Sequence, residues 1–160
     1  IAKLSHPNIV VVYDVEDNCE LSYIVMEHIE GRDLRQALKA ERRFETERAV
    51  PIIAQVCSAL DYAHQAGIIH RDVKPSIFSL GVVLYELLTG TRPFAGDSLA
   101  ALAYKIVHKM HIPPSLLNVE LPLELDDVIG KALAKNPDER YQTALEFRDA
   151  LLAVKFQPVA

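Results

Sequence analysis

The residues best placed to do chemistry are His70-Arg71-Asp72-Val73-Lys74-Pro75, which follow a short apolar segment, Gly67-Ile68-Ile69, that runs abruptly into charge. A carboxylate beside a cation in such a setting can be held ionised and aimed at a substrate proton. The same pattern also describes an Arg-Asp surface ion pair, and spacing alone leaves both readings open. Other candidates are weaker. His108 and His111 sit three apart on an expected helix and could share a metal, but no third histidine or nearby carboxylate completes the set. Asp126-Asp127 and Asp138-Glu139 are adjacent pairs. Neighbours on a helix do not face each other, so they read as helix-start charges rather than acid-base pairs. The chain has no Walker loop and no Ser-His-Asp hydrolase elbow.

The elements that must position these groups follow from periodicity. Ile9 to Val15 and Leu21 to Met26 are β-branched runs separated by Glu16-Asp17-Asn18, which predicts an antiparallel pair of strands. From Gly31 the pattern becomes helical. Asp33 is a candidate N-cap for a short helix through Leu38. Val50, Ile53, Val56, Cys57, Leu60 and Ala63 keep a 3.6-residue period up to Gly67. Pro51 demands either a later start than Thr46 or a distorted first turn. Ile77 to Thr89 is apolar on nearly every face and predicts a helix buried all round, ended by Gly90. Further helices are expected from Ser98 to Met110, stopped by Pro113-Pro114, and from Leu123 to Ala134. Thr143-x-x-Glu146 is a capping box opening the last helix, with Ala144, Phe147, Leu151 and Leu152 as its inner face. The sum is one β-hairpin and about six helices, an α+β chain.

Composition bounds the partners. The 160 residues are 50% hydrophobic and 24% charged, enough apolar content to fold one domain. The net charge of −5 argues against nucleic acid or an anionic membrane as the main partner. Cys19 and Cys57 lie far apart and form no disulfide framework or CxxC pair, so a reducing, cytoplasmic location is expected. Glu86 interrupts the longest apolar stretch, so no membrane span is expected within this segment. The chain opens on Ile1 without a signal-peptide pattern, as a piece of something longer would.

The segment at His70 resembles the catalytic loop of protein kinases, H-R-D-L-x-x-x-N. The resemblance extends along nearly the whole chain in family order. Leu4-Ser5-His6-Pro7-Asn8-Ile9-Val10 resembles the approach to the fourth strand of the N-lobe, and Tyr23 to Gly31 resembles the fifth strand and hinge. Ala59 to His64 resembles the helix before the catalytic loop, and Phe78 to Gly90 the central C-lobe helix. Lys135-Asn136-Pro137-Asp138-Glu139-Arg140-Tyr141 resembles the loop before the last helix. Lys74, two residues after Asp72, is similar to the style of bacterial Ser/Thr (Hanks-type) kinases. The resemblance implies a kinase-like fold: 1–30 the end of an N-lobe and hinge, 31–160 a mostly helical C-lobe. It implies transfer of the ATP γ-phosphoryl group to a protein Ser or Thr hydroxyl, with ATP and Mg as cofactors. Asp72 would accept the hydroxyl proton, Lys74 would steady the phosphoryl group, and His70 and Arg71 would support the loop. Met26 would line the adenine pocket, backbone groups of Glu27 and Ile29 would meet the adenine edge, and Asp33 would reach the ribose. Read without the resemblance, Met26 is plain core and Asp33 only a helix cap.

The departures matter equally. No G-x-G-x-x-G occurs, the first glycine is Gly31, and no residue matches the strand lysine and its helix glutamate. The kinase motif places a metal-binding Asn where Ile77 stands, and isoleucine offers Mg²⁺ no oxygen. No residue of the chain is therefore assigned to metal. D-F-G and A-P-E are both absent, so a segment is missing between Pro75 and Ile77. Arg140, whose family partner is the A-P-E glutamate, should be exposed, re-paired or a relic, because an unpaired buried charge is costly. The chain alone is expected to be incompetent for phosphotransfer. The alternatives are a non-catalytic remnant that binds a partner protein, through surface left uncovered near Phe78 and Leu80, or a joined-up subset of a longer product.

Overall fold

The computed structural model describes residues 4–17, 22–67 and 74–155. The expected turn residue Asn18, Cys19 and the segment 68–73, with His70, Arg71 and Asp72, lie outside the described residues. Strands β1 (Val12–Asp17) and β2 (Ser22–Met26) form an antiparallel pair with an irregularity between Val12 and Asp14. The first strand lies later than the β-branched run suggested. His6-Pro7-Asn8 instead forms a turn, closed by the Ile9 N–H on the His6 carbonyl at 3.0 Å. Glu16 and Asp17, expected in the hairpin turn, pair with Tyr23 and Ser22. The hairpin is exposed on both faces, as the burial of its residues shows.

Helix α1 (Leu34–Glu41) starts at Asp33, whose carboxylate accepts the Gln36 N–H at 2.7 Å. Helix α2 (Thr46–Gln65) does begin at Thr46, with Pro51 inside it. Its first turn is tightened, since the Glu45 carbonyl accepts both Arg48 N–H and Ala49 N–H. Helix α3 (Lys74–Thr89) starts three residues earlier than expected and runs unbroken through Pro75-Ser76-Ile77. Pro75 is tolerated because the second residue of a helix has no intrahelical bond for its N–H to lose. Ile77, Gly81, Leu84, Tyr85 and Leu88 form one fully buried face, while Val83 is 36% exposed, so the helix is not covered all round. Helix α4 (Leu99–His108) is capped by Ser98, and a short α5 (Pro114–Leu117) begins at the prolines that were expected only as a stop. Pro favours the first helical position for the same reason that Pro75 does.

Helices α6 (Glu124–Ala132) and α7 (Ala144–Ala153) complete the core, with a 3₁₀ turn, Pro137–Glu139, between them. Thr143 caps α7 through Oγ1 on the Glu146 N–H at 3.0 Å. Glu146 returns the bond to the Gln142 N–H, one residue earlier than the simple box predicts. Ala144, Phe147 and Leu151 face inward, but Leu152 is 56% exposed and Val154 takes its place inside. A step of one residue turns about 100° around a helix, so Leu151 and Leu152 cannot share the buried stripe. The core joins α2, α3, α6 and α7, with Phe44, Ile53, Leu88, Leu125, Ile129 and Phe147 among its most buried side chains. Among the described residues no helix is long and apolar enough to cross a membrane.

Cys57 is wholly buried in this core, and burial pushes its thiol up to about 12, with Arg148 opposing. A thiol so protected reacts only when the core opens. In a Cys19→Ser chain, a disulfide reagent should label Cys57 about a hundredfold or more slower in buffer than in denaturing urea. Equal rates would place the thiol in reach of solvent.

Candidate functional site

The hinge-like segment begins where β2 ends. Met26 closes β2 and is 52% exposed rather than buried. The Glu27 N–H donates to the Val11 carbonyl at 2.8 Å, and its carboxylate accepts the Val11 N–H at 3.3 Å. Both the backbone and the side chain of Glu27 therefore fasten the segment to Val11, the residue before β1, and the Glu27 carbonyl has no partner among the described residues. The Ile29 N–H is likewise uncommitted among them, and Ile29 is 61% exposed. A carbonyl and an N–H two residues apart on an open edge form an acceptor and donor pair that a planar heterocycle can meet. Asp33 follows at the start of α1, with one carboxylate oxygen engaged as the cap.

Lys74 opens α3, and its Nζ donates to Asp138 Oδ1 at 2.5 Å. That contact holds the Asp138 carboxyl below the usual range, first through the hydrogen bond and then through charge. The sequence reading gave Asp138 only as a helix-start charge; no local signal could reveal a partner 64 positions away. Asp126 is also more than a helix-start charge, since its two oxygens accept the Ser115 N–H at 2.9 Å and the Ser115 hydroxyl at 2.5 Å, pinning α5 to α6.

Arg140 is re-paired. Its guanidinium donates to the carbonyls of Ala134 at 2.7 Å, Lys135 at 3.2 Å and Lys74 at 3.4 Å, and lies 4.8 Å from the Phe78 ring centroid. Phe78 in turn stacks on Phe94 at 6.1 Å, so this side of α3 is half-covered rather than open. Ile77 is 0% exposed and belongs to the main core. The residue at the metal-binding position of the kinase motif is therefore a packing residue, and the residues present do not fit Mg²⁺ there.

His111 does not act with His108. Its ring meets Tyr85 edge-on at 5.8 Å and Phe94 at 6.4 Å, and its buried Nδ1 has no hydrogen-bond partner. Burial and then Lys135 lower its pKa, opposed by Asp126. The unfolded imidazole, with its ordinary value of 6.5, thus takes up a proton before the folded one does. Stability from this group is present above that value and is lost as pH falls through it. The urea midpoint should fall between pH 7.5 and pH 5 by more in the natural chain than in His111→Leu. Equal falls would remove His111 from the balance.

The family model described as "Protein kinase domain" matches residues 1–76, ending one residue before Ile77. The Serine/threonine-protein kinase PknB of Mycolicibacterium smegmatis is 38% identical over 213 residues, covering 96% of this chain and 34% of its own length. A Clostridium perfringens protein named "Probable serine/threonine-protein kinase CPE1738" is 34% identical over 212 residues, covering 99% of this chain and 31% of its own. The crystal structure of Rad53 1-466 in complex with AMP-PNP superposes with a TM-score of 0.82 at 26% identity, covering 95% of this chain and 52% of that one. The chain spans about a third of the length of the curated relatives it matches. The 213 positions of the PknB match include only about 154 residues of this chain, which is 96% of 160. About 59 positions of the relative therefore have no counterpart here.

Proposed function

From the premise that this chain resembles the bacterial Ser/Thr protein kinases and has the protein-kinase-like fold, we propose that it is part of a domain that transfers the ATP γ-phosphoryl group to protein Ser or Thr hydroxyls. The observation that carries this reading is the family-ordered match over 96% of the chain. The open hinge edge supports it. The Glu27 carbonyl and Ile29 N–H would take the adenine edge, Met26 would flank the base, and the free oxygen of Asp33 would reach a ribose hydroxyl while the other keeps its cap. ATP, when bound, supplies the phosphoryl group. Asp72 would take the proton from the attacking hydroxyl, Lys74 would steady the anionic phosphoryl oxygens, and His70 and Arg71 would hold the loop. For Lys74 to do so its ammonium must leave Asp138, which lies on the surface and can rehydrate. No step is assigned to Mg²⁺, because the residues present do not fit it.

Domain limits of 1–30 for the hinge end and 31–160 for the C-lobe, with a segment missing between Pro75 and Ile77, are part of the proposal. The end of the family match at Ser76 and the PknB positions without counterpart in this chain support it. A protein partner or substrate in the cytoplasm is the corresponding expectation. The buried Ile77 and the salt-bridged Lys74 favour, as second reading, a remnant that binds a partner without catalysis.

Two measurements test these readings. The intact mass of the product from its own cell should exceed 17.9 kDa if the missing parts exist there. Labelled ATP with a protein substrate should then give phosphotransfer that Asp72→Asn abolishes. A product of 17.9 kDa that transfers nothing sinks the kinase reading in favour of the binding remnant.

A further inference from the structure

A cleft of about 910 Å³ lies away from the hinge, between α1 and the C-terminal end of α3. Five cationic and two acidic side chains line it, in a chain whose net charge is −5. The carboxylates are used up. Glu41 pairs with Arg48, and Glu86 lies 3.5 Å from Arg92. Arg43 pairs with Glu120 at 2.6 Å. Arg35, Lys39 and Arg42 remain, all exposed and with no ionic partner among the described residues. Arg35 and Lys39 are one helical turn apart and share a face of α1.

The walls of this cleft are fixed. Arg42 has φ of 66° and ψ of −45°, and the Arg43 N–H donates to the Glu41 carbonyl at 2.8 Å, forming a γ-turn of the strained, positive-φ kind. The Phe44 N–H then donates to the Leu87 carbonyl at 2.7 Å, tying the end of α1 to the end of α3. Strain of this sort persists only where the surroundings hold it, and it presents Arg42 on the rim of the cleft. A mainly apolar groove of about 230 Å³ adjoins the cleft, sharing Arg35, Leu38, Arg92 and the Arg92-paired Glu86 with it and lined also by Leu34, Val83 and Leu87.

We propose that this cleft and groove dock an acidic segment of a partner protein, its carboxylates on Arg35, Lys39 and Arg42 and its apolar side chains in the groove between α1 and α3. Charge complementarity selects the occupant: three cations without an ionic partner among the described residues line one concavity beside an apolar strip. A nucleic acid fits poorly, because the acidic surface elsewhere repels a long polyanion and no aromatic side chain lines the cleft for bases to stack on. The docking does not depend on phosphotransfer, and it gives the chain a binding role whether or not Asp72 is active.

The test uses the 160-residue chain and a short fluorescein-labelled peptide repeating Glu-Glu-Leu, followed by anisotropy. Binding should weaken about tenfold or more for the Gln-Gln-Leu analogue, and likewise for the double variant Arg35→Glu, Lys39→Glu, which is exposed and should keep the natural melting temperature. The double variant Lys109→Glu, Lys155→Glu changes net charge equally outside the cleft and should leave affinity within about twofold. No binding, equal binding of the two peptides, or equal losses from both double variants overturns the proposal. So does capture of phosphatidylserine vesicles, or a concentration-dependent dimer, that the Arg35→Glu, Lys39→Glu chain loses while peptide affinity stays unchanged.

Discussion

Ile77→Asn, which places at this position the residue that the kinase motif carries, should cost about 2.5–6 kcal/mol of stability and gain no phosphotransfer. Ile77 is fully buried on the face of α3 that also holds Gly81, Leu84, Tyr85 and Leu88. Removing its side chain from that core forfeits about 1.5–3 kcal/mol of apolar burial. Placing an amide there adds about 1–3 kcal/mol for polar atoms without partners. A domain of this size has about 5–15 kcal/mol in total, so the variant would approach the unfolding threshold. Urea unfolding gives the stability, and labelled ATP gives the transfer. An eroded metal site predicts the opposite pair of results: little loss of stability and a Mg-dependent gain of transfer. Ile77→Val, which keeps the shape and loses one methylene, should cost only about 0.5–1.5 kcal/mol. That contrast separates a burial effect from general intolerance at the start of α3.

The hairpin and the longer helices could be read from residue patterns because the cause of each is local. Asp33, Ser98 and Thr143 cap the helices they were expected to open, since a side-chain oxygen reaches an N–H only two or three residues away. The start of α3 was misplaced because Pro75 looks like a helix stop but sits where helices accept proline. Leu152 was misplaced because one apolar residue beside another says nothing about which of them faces inward. The hinge could be located only through family resemblance, and the groups that would meet a nucleotide there are backbone atoms, which leave no mark on composition. The basic cleft was invisible. Its cations come from α1, the turn after it and the loop after α3, and only the fold brings them together. The partners of Lys74 and Arg140 are hidden for the same reason, being a distant carboxylate and backbone carbonyls.

At the junction of α1 with α3 a single methyl group should lower stability through both backbone strain and a clash. Gly90 has φ of 71°, and a Cβ placed on it would lie 2.5 Å from the Arg42 carbonyl oxygen, a backbone atom that no rotamer change can move. Gly90→Ala therefore carries two costs, the positive φ at about 1 kcal/mol or more and the clash at about 1–3 kcal/mol. Relief of the clash requires the γ-turn at Arg42 to shift, and with it the bond from Phe44 to Leu87. The expected total is about 3 kcal/mol, which for a domain of this size lowers Tm by about 6–12 °C. Gly67 supplies the control, since it has nearly the same φ, 70°, with nothing within 4 Å of the added Cβ. Gly67→Ala carries the backbone cost alone and should lower Tm by about 2–4 °C. The difference between the two melts measures the close approach of Gly90 to Arg42. Equal melts would mean that the turn at Arg42 yields freely, and the fixed rim of the basic cleft would lose its support.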